Sequence, residues 1–133
     1  MSDANLKYPS IKAARSVLRK VGVDDTSRID AFDQDFEYTS CLLEELEDYI
    51  DLYDKPDTSL EEKRVLGCYF LECLNDYVSL HGKAHALQDR AFALLFNERS
   101  IHLEEIEYRL RDYDGIEEHC WPIRKELIKW QSI

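Results

Sequence analysis

Glycine and proline are scarce in this chain, four and three residues of 133. Strands joined by tight turns draw heavily on both, so a β-rich architecture is disfavoured. Cysteine is also thin. Cys41, Cys68, Cys73 and Cys120 contain no CxxC spacing, which leaves no zinc or dithiol motif and predicts reduced thiols packed as small apolar groups. No run approaches ~18 apolar residues, and Met1 to Ser10 lacks the apolar centre of a signal peptide. The expectation is a cytoplasmic protein that neither spans a membrane nor is exported by that route.

Catalytic motifs are missing too. There is no glycine-rich phosphate loop and no dinucleotide fingerprint. Inward-facing Glu-x-x-His pairs, needed by carboxylate-bridged di-iron bundles, do not occur. His81, His85, His102 and His119 are preceded at that spacing by Val78, Gly82, Arg99 and Ile116. Cys120 beside His119 makes a poor nucleophile pair, because adjacent residues on a helix point apart. One alternative survives as a metal-dependent enzyme. His81, His85 and Asp89 are four apart and would form one ligand row if a single helix ran through them, although Gly82 interrupts it. No cofactor is expected otherwise.

Positive charge is the last deficiency. The formal net charge is −11, and it is unevenly spread. Residues 1–22 carry five basic groups against one acidic, whereas residues 23–62 carry two against fifteen. Such a chain is repelled by nucleic acid and by anionic membranes, and its natural complement is a basic protein.

What remains is a helical pattern with 44% apolar residues, enough for a packed core. Ile11, Ala14, Val17, Leu18 and Val21 give the apolar side of a first helix over 9–21, opened by Pro9 and closed by Gly22. Between Arg28 and Asp54, Ile29, Phe32, Phe36, Thr39, Leu43, Leu46, Ile50 and Tyr53 fall on one seam of a seven-residue period. That predicts one long helix capped by Thr26 or Ser27 and ended before Pro56. Ser59 and Glu62 form a capping-box pattern, opening a second long helix that runs to His81 with Gly82 as terminator. A short connection between two long helices implies an antiparallel hairpin. Residues 83–113 read as two helices or a kinked one, with Asn97 or Ser100 as the new cap. Trp121-Pro122 opens a last short helix containing Ile123, Leu127, Ile128 and Trp130. The segments 42–52 and 70–80 match at six of eleven positions, which two amphipathic helices of similar composition reach without duplication.

The expectation is therefore an all-α single domain over 1–133, a bundle of five or six helices around the antiparallel pair 28–54 and 59–81. Its core should hold Ile29, Phe32, Phe36, Leu43, Leu46, Ile50, Leu66, Phe70, Leu74, Leu94, Ile106 and Leu110.

On a continuous 28–54 helix, Asp30, Asp33, Glu37, Glu44, Glu47, Asp51 and Asp54, with Asp48 beside them, form one acidic strip on the opposite side. At 1.5 Å per residue it would run ~40 Å. Pairs such as Glu44/Asp48 and Glu47/Asp51 repel by about 0.2–0.5 kcal/mol each, and acids towards a helix C-terminus also oppose its dipole. The strip is a solvated face, a surface neutralised by the basic first helix, or a docking site. For docking, the candidate contacts are Asp30, Asp33, Glu37, Glu44, Glu47, Asp48 and Asp51, with Tyr38 as the aromatic anchor and Tyr49 and Tyr53 in the core.

A small, acidic, helical, cytoplasmic protein is similar in kind to two sorts of binder. One is the immunity or antidote protein that covers a basic toxin such as a nuclease. The other is the acidic chaperone that holds a secreted effector. The expectation is the first, non-enzymatic, acting as a monomer or homodimer. A homodimeric structural protein joined through an apolar arc containing Leu42 and Leu52 is a further alternative.

Overall fold

Capping side chains set where three of the described helices begin. The computed structural model describes residues 10–29 and 39–131. Helix α1 (Ile11–Lys20) starts one residue later than Pro9 suggests, because Ser10 Oγ accepts a hydrogen bond from Ala13 N (3.1 Å). It buries Ala13, Ala14, Val17 and Leu18 and stops at Gly22, whose φ of +84° suits glycine. Helix α2 (Asp25–Arg28) is one turn, capped by Asp24, which accepts from Thr26 N (3.0 Å).

The expected continuous helix over 28–54 is not what the chain forms. Ile29 leaves α2 in an extended conformation (φ −124°, ψ 113°). Residues 30–38 lie outside the described residues, and with them Phe32, Phe36, Asp30, Asp33, Glu37 and Tyr38. After them, Leu42 is extended again (φ −126°, ψ 138°) and leads into a 3-10 turn, Leu43–Glu45. Only Leu46–Tyr53, helix α3, is α-helical in the second half of that stretch.

Side chains stabilise this break. The Arg28 guanidinium donates to Ser40 O (3.0 Å) and grips both carboxylate oxygens of Glu45 (3.0 and 2.7 Å). Ser40 Oγ lies 2.5 Å from the Tyr69 hydroxyl, and Leu42 N donates to the Tyr49 hydroxyl (3.2 Å). The backbone groups that a straight helix would satisfy internally find these partners instead.

Helix α4 (Leu60–His81) is the true organiser. Its Ser59–Glu62 capping box forms as the sequence indicates (2.9 and 3.1 Å), and Gly82 closes it at φ +68°. Val65, Leu66, Gly67, Cys68, Tyr69, Phe70 and Leu71 are all buried, so the helix is covered almost all round. It packs against α1, α3, the 3-10 turn, and two further helices, α5 (Gln88–Asn97) and α6 (Arg99–Leu110). The 83–113 segment is thus two helices, and they meet at Glu98 rather than at a cap by Asn97 or Ser100. The Glu98 carboxylate accepts from Lys63 Nζ (2.9 Å), which ties the junction to α4. Helix α7 (Arg124–Gln131) follows Trp121-Pro122 and packs on α6. Its approach is fixed by Ile123 N donating to the buried Asn75 Oδ1 (3.0 Å) and Arg124 Nε donating to Leu110 O (2.9 Å).

The described residues are therefore all-helical, with seven α-helices and no strand. Ile29, Leu46, Ile50, Leu66, Phe70, Leu74 and Ile106 are buried as expected, whereas Leu43, Leu94 and Leu110 are half-buried against the same core. No helix among the described residues is long and apolar enough to cross a membrane.

Candidate binding surface

The break before α3 changes the geometry of the acidic residues. Glu44 lies on the 3-10 turn, and Glu47, Asp48 and Asp51 lie on α3; all four are exposed. Because α3 begins at Leu46, Glu47 and Asp48 sit in its first turn, where the helix dipole favours negative charge. The sequence places them towards the end of a long helix, where it would oppose them. Asp51 is near the C-terminus as expected, and Arg90 of α5 meets it at 3.3 Å. Both partners are more than half exposed, so that pair contributes ~0–1 kcal/mol. The continuous strip becomes a compact cluster of carboxylates on a turn and a two-turn helix, and the notion of one ~40 Å row on a single helix is corrected.

A network beneath the cluster holds it in place. Glu45, between the exposed Glu44 and Leu46, turns inward to Arg28 and also accepts from the Tyr49 hydroxyl (2.5 Å). Burial pushes the Glu45 carboxyl upward, but the hydrogen bonds from Arg28 and Tyr49 outweigh it and hold it below the ordinary carboxylate range. Tyr49 is fully buried, its hydroxyl pushed upward by burial and by Glu45, and its ring meets Tyr69 at 5.0 Å. Tyr53 is buried too, so both helix tyrosines are core residues as anticipated.

Beside the carboxylates lies an open groove of about 550 Å³ lined by Leu42, Leu43, Leu46, Leu87 and His85, with Glu44 and Glu47. Leu42 is 40% exposed along it. Sequence periodicity missed this feature because Leu87 comes from the turn before α5, and only the tertiary fold brings it to the 3-10 turn. Leu42 and Leu52 do not share an exposed arc, since Leu52 is buried in the core.

The basic first helix covers other acids. Arg15 and Arg19 lie 3.6 and 3.7 Å from Asp25, and Lys20 reaches Asp57 (3.6 Å) and Glu62 (3.0 Å). Burial raises the Glu62 carboxyl, and the bonds from Ser59, Lys20 and Ser16 more than reverse that. Lys20 also borders a shallow recess with Asp48 and Asp51, but its ammonium is engaged by Asp57 and Glu62. Glu44 and Glu47 are left to solvent.

The histidine row does not assemble. Gly82 breaks the helix between His81 and His85, and the two imidazoles pack on the ring of Tyr77, at 4.3 and 4.6 Å. His85 Nδ1 accepts from Leu87 N (2.9 Å), while Asp89 is exposed on α5. Among the described residues, no group of three or more His, Cys, Asp or Glu side chains is placed to hold a metal ion. The four thiols are unbridged, Cys68 and Cys73 buried and Cys41 and Cys120 half-buried.

A second recess, about 620 Å³, is lined by Val78, Asp112, Glu118, Trp121 and Arg124 among others. One ion pair forms between its lining residues, Lys125 with Glu117, and Arg124 donates to Leu110 O.

Comparison with protein-family models, with curated proteins and with solved structures returned no match.

Proposed function

We propose that this protein is an acidic, non-enzymatic binding protein, an immunity or antidote protein that neutralises a basic toxin such as a nuclease in the cytoplasm. The observation that carries the reading is the exposed set Glu44, Glu47, Asp48 and Asp51, held on a turn that Arg28, Glu45 and Tyr49 lock from beneath. Carboxylates ordered before the partner arrives lose little conformational freedom on binding, and a dense negative patch speeds the encounter with a basic surface. In this reading α3 and α4, an antiparallel pair joined across residues 54–59, form the platform. The proposed contacts Asp30, Asp33, Glu37 and Tyr38 fall outside the described residues, and docking is assigned to the four carboxylates above. A toxin that cleaves nucleic acid needs a positive cleft, which an acidic surface blocks directly or from an adjacent patch.

The acidic-chaperone reading uses the same charge and draws on the leucine groove. Holding an unfolded segment calls for a longer apolar track than Leu42, Leu43, Leu46 and Leu87 provide, so inhibition is the better fit. The test co-expresses the chain with the product of the neighbouring gene, where an antidote's toxin is expected. Replacing Glu44, Glu47, Asp48 and Asp51 with Lys should abolish protection and binding, while the original pair binds less tightly as salt rises. Protection and affinity unchanged by the four replacements would reduce the cluster to a solvated face.

A further inference from the structure

The leucine groove is an apolar surface inside the most acidic part of the described fold, and its two characters together specify an occupant. Leu46 forms a nearly fully buried part of its wall, whereas Leu42 is 40% exposed. Glu44 and Glu47 line the same groove, and Asp48 and Asp51 continue the negative charge along α3. A purely apolar ligand would leave these carboxylates unanswered, and a purely cationic one would leave the leucines in water. The complementary surface carries apolar side chains flanked by Lys or Arg.

We infer that the groove seats one face of a cationic amphipathic helix on the protein partner. This rests on the binding-protein reading and adds the chemistry of the partner. At about 550 Å³ and widely open to solvent, the groove suits several side chains of a docked surface better than a single enclosed small molecule. No sheet edge exists among the described residues to accept an added strand, and leucines replace the aromatic rings that grip a polyproline segment. A helix with apolar residues at i, i+3 or i+4, and i+7 presents the required stripe, with basic residues on both flanks. The receiving wall is already ordered. Leu42 N donates to Tyr49, and Glu45 N donates to Leu42 O (3.0 Å), so Leu42 is held in its extended conformation before anything docks.

The probe is a fluorescein-labelled Leu/Lys peptide of about 15–18 residues, long enough to hold a helix, with Leu in the stripe positions. Its control has the same composition in scrambled order. Fluorescence anisotropy at about 0.15 M NaCl compares the two, because exposed charge alone is strongly screened there. The striped peptide should bind at least about tenfold more tightly than the scrambled one, the equivalent of burying one or two apolar side chains. Leu42→Asp should remove most of that preference, and Leu42→Ser should reduce it in the same direction. Amide shifts on binding should centre on Leu42 to Glu47 and Leu87.

Equal affinity for the two peptides overturns the groove assignment without relying on any variant. If Glu44→Lys with Glu47→Lys still abolishes binding in that case, the acidic surface stands and the groove alone is lost. A striped-peptide preference that survives both lysine replacements overturns the cationic part of the inference. Loss of toxin protection in the four-lysine variant is read separately, so failure of the inhibitor reading is distinguishable from failure of the groove.

Discussion

Gly67 is the residue on which the packing of α4 against α6 turns. A Cβ built there would come within 2.7 Å of His102 Cε1 and 3.3 Å of Leu95 Cδ2. In an open helix, Gly→Ala gains about 1 kcal/mol from propensity. Here the clash is with a His side chain only 3% exposed, and overpacking a core costs about 1–3 kcal/mol. Gly67→Ala should therefore be net destabilising in urea denaturation, and it should become neutral or stabilising in a His102→Ala background. His102 makes a pH prediction as well. Its Nε2 lies 2.6 Å from the Tyr53 hydroxyl, and burial lowers its pKa to about 4 despite the pull of Glu98, with Arg64 and Lys63 acting in the same direction as burial. The unfolded chain takes that proton near 6.5, so between pH 6.5 and 4 the unfolded state binds more protons than the folded one. Stability should fall as pH drops through that window, by about 3 kcal/mol at most. His85 is lowered too, by burial and by His81, and acts in the same direction. His102→Gln should thus flatten most of the slope, and an unchanged slope in urea midpoints across pH 6.5–4.5 would contradict the assignment.

At the scale of elements, the decisive piece is the Arg28–Glu45 clamp. Its side chains are 20% and 14% exposed, between the surface pairs worth ~0–1 kcal/mol and the buried pairs that cost ~3–5 kcal/mol to break. Arg28→Ala should cost about 2–4 kcal/mol, because it strands the Glu45 carboxylate and removes the donor to Ser40 O. Hydrogen exchange should quicken at Leu42 to Leu46 before it does in α5 or α6. The same clamp explains what the sequence concealed. Ser59, Gly22 and Gly82 announce themselves through local chemistry, and the end of α1, the whole of α4 and the break after His81 were legible for that reason, whereas the start of α1 was read at Pro9 and is set by Ser10. The interruption after Arg28 uses neither Gly nor Pro. It depends on partners 12, 17 and 29 residues away, Arg28 with Ser40 and Glu45 and Ser40 with Tyr69, which no window of sequence displays. The seven-residue seam held in part as a list of core positions: Ile29, Leu46, Ile50 and Tyr53 are buried, Leu43 is half-buried, Thr39 is exposed, and Phe32 and Phe36 lie outside the described residues. Burial periodicity therefore did not prove helical continuity. The matching segments 42–52 and 70–80 show the same tertiary control. Tyr49 is buried and Tyr77 half-buried, while Leu52 is buried and Leu80 is 75% exposed.

Across the whole molecule, the cations of α1 are used where they leave the candidate surface bare. Arg15, Arg19 and Lys20 pair with Asp25, Asp57 and Glu62, so the net charge of −11 is not averaged over the fold. Glu44, Glu47 and Asp48 keep their field, and the groove beside them supplies short-range contact. These two features act on different rates. Long-range charge raises the frequency of productive encounters, and its effect decays beyond about 8 Å at physiological salt but reaches ~30 Å at 0.01 M. Apolar contact is made only after docking and governs how long the complex lasts. In stopped-flow with the striped cationic peptide, Glu44→Lys with Glu47→Lys should chiefly lower the association rate, with the largest loss at low salt. Leu42→Asp adds one further negative charge, so it should leave association equal or slightly faster while dissociation accelerates about tenfold, the rate equivalent of losing about 1.4 kcal/mol of contact. The opposing signs make this discriminating. A surface that merely attracts cations would bind the peptide no less tightly after Leu42→Asp, whereas a groove that seats a helix must let it go sooner.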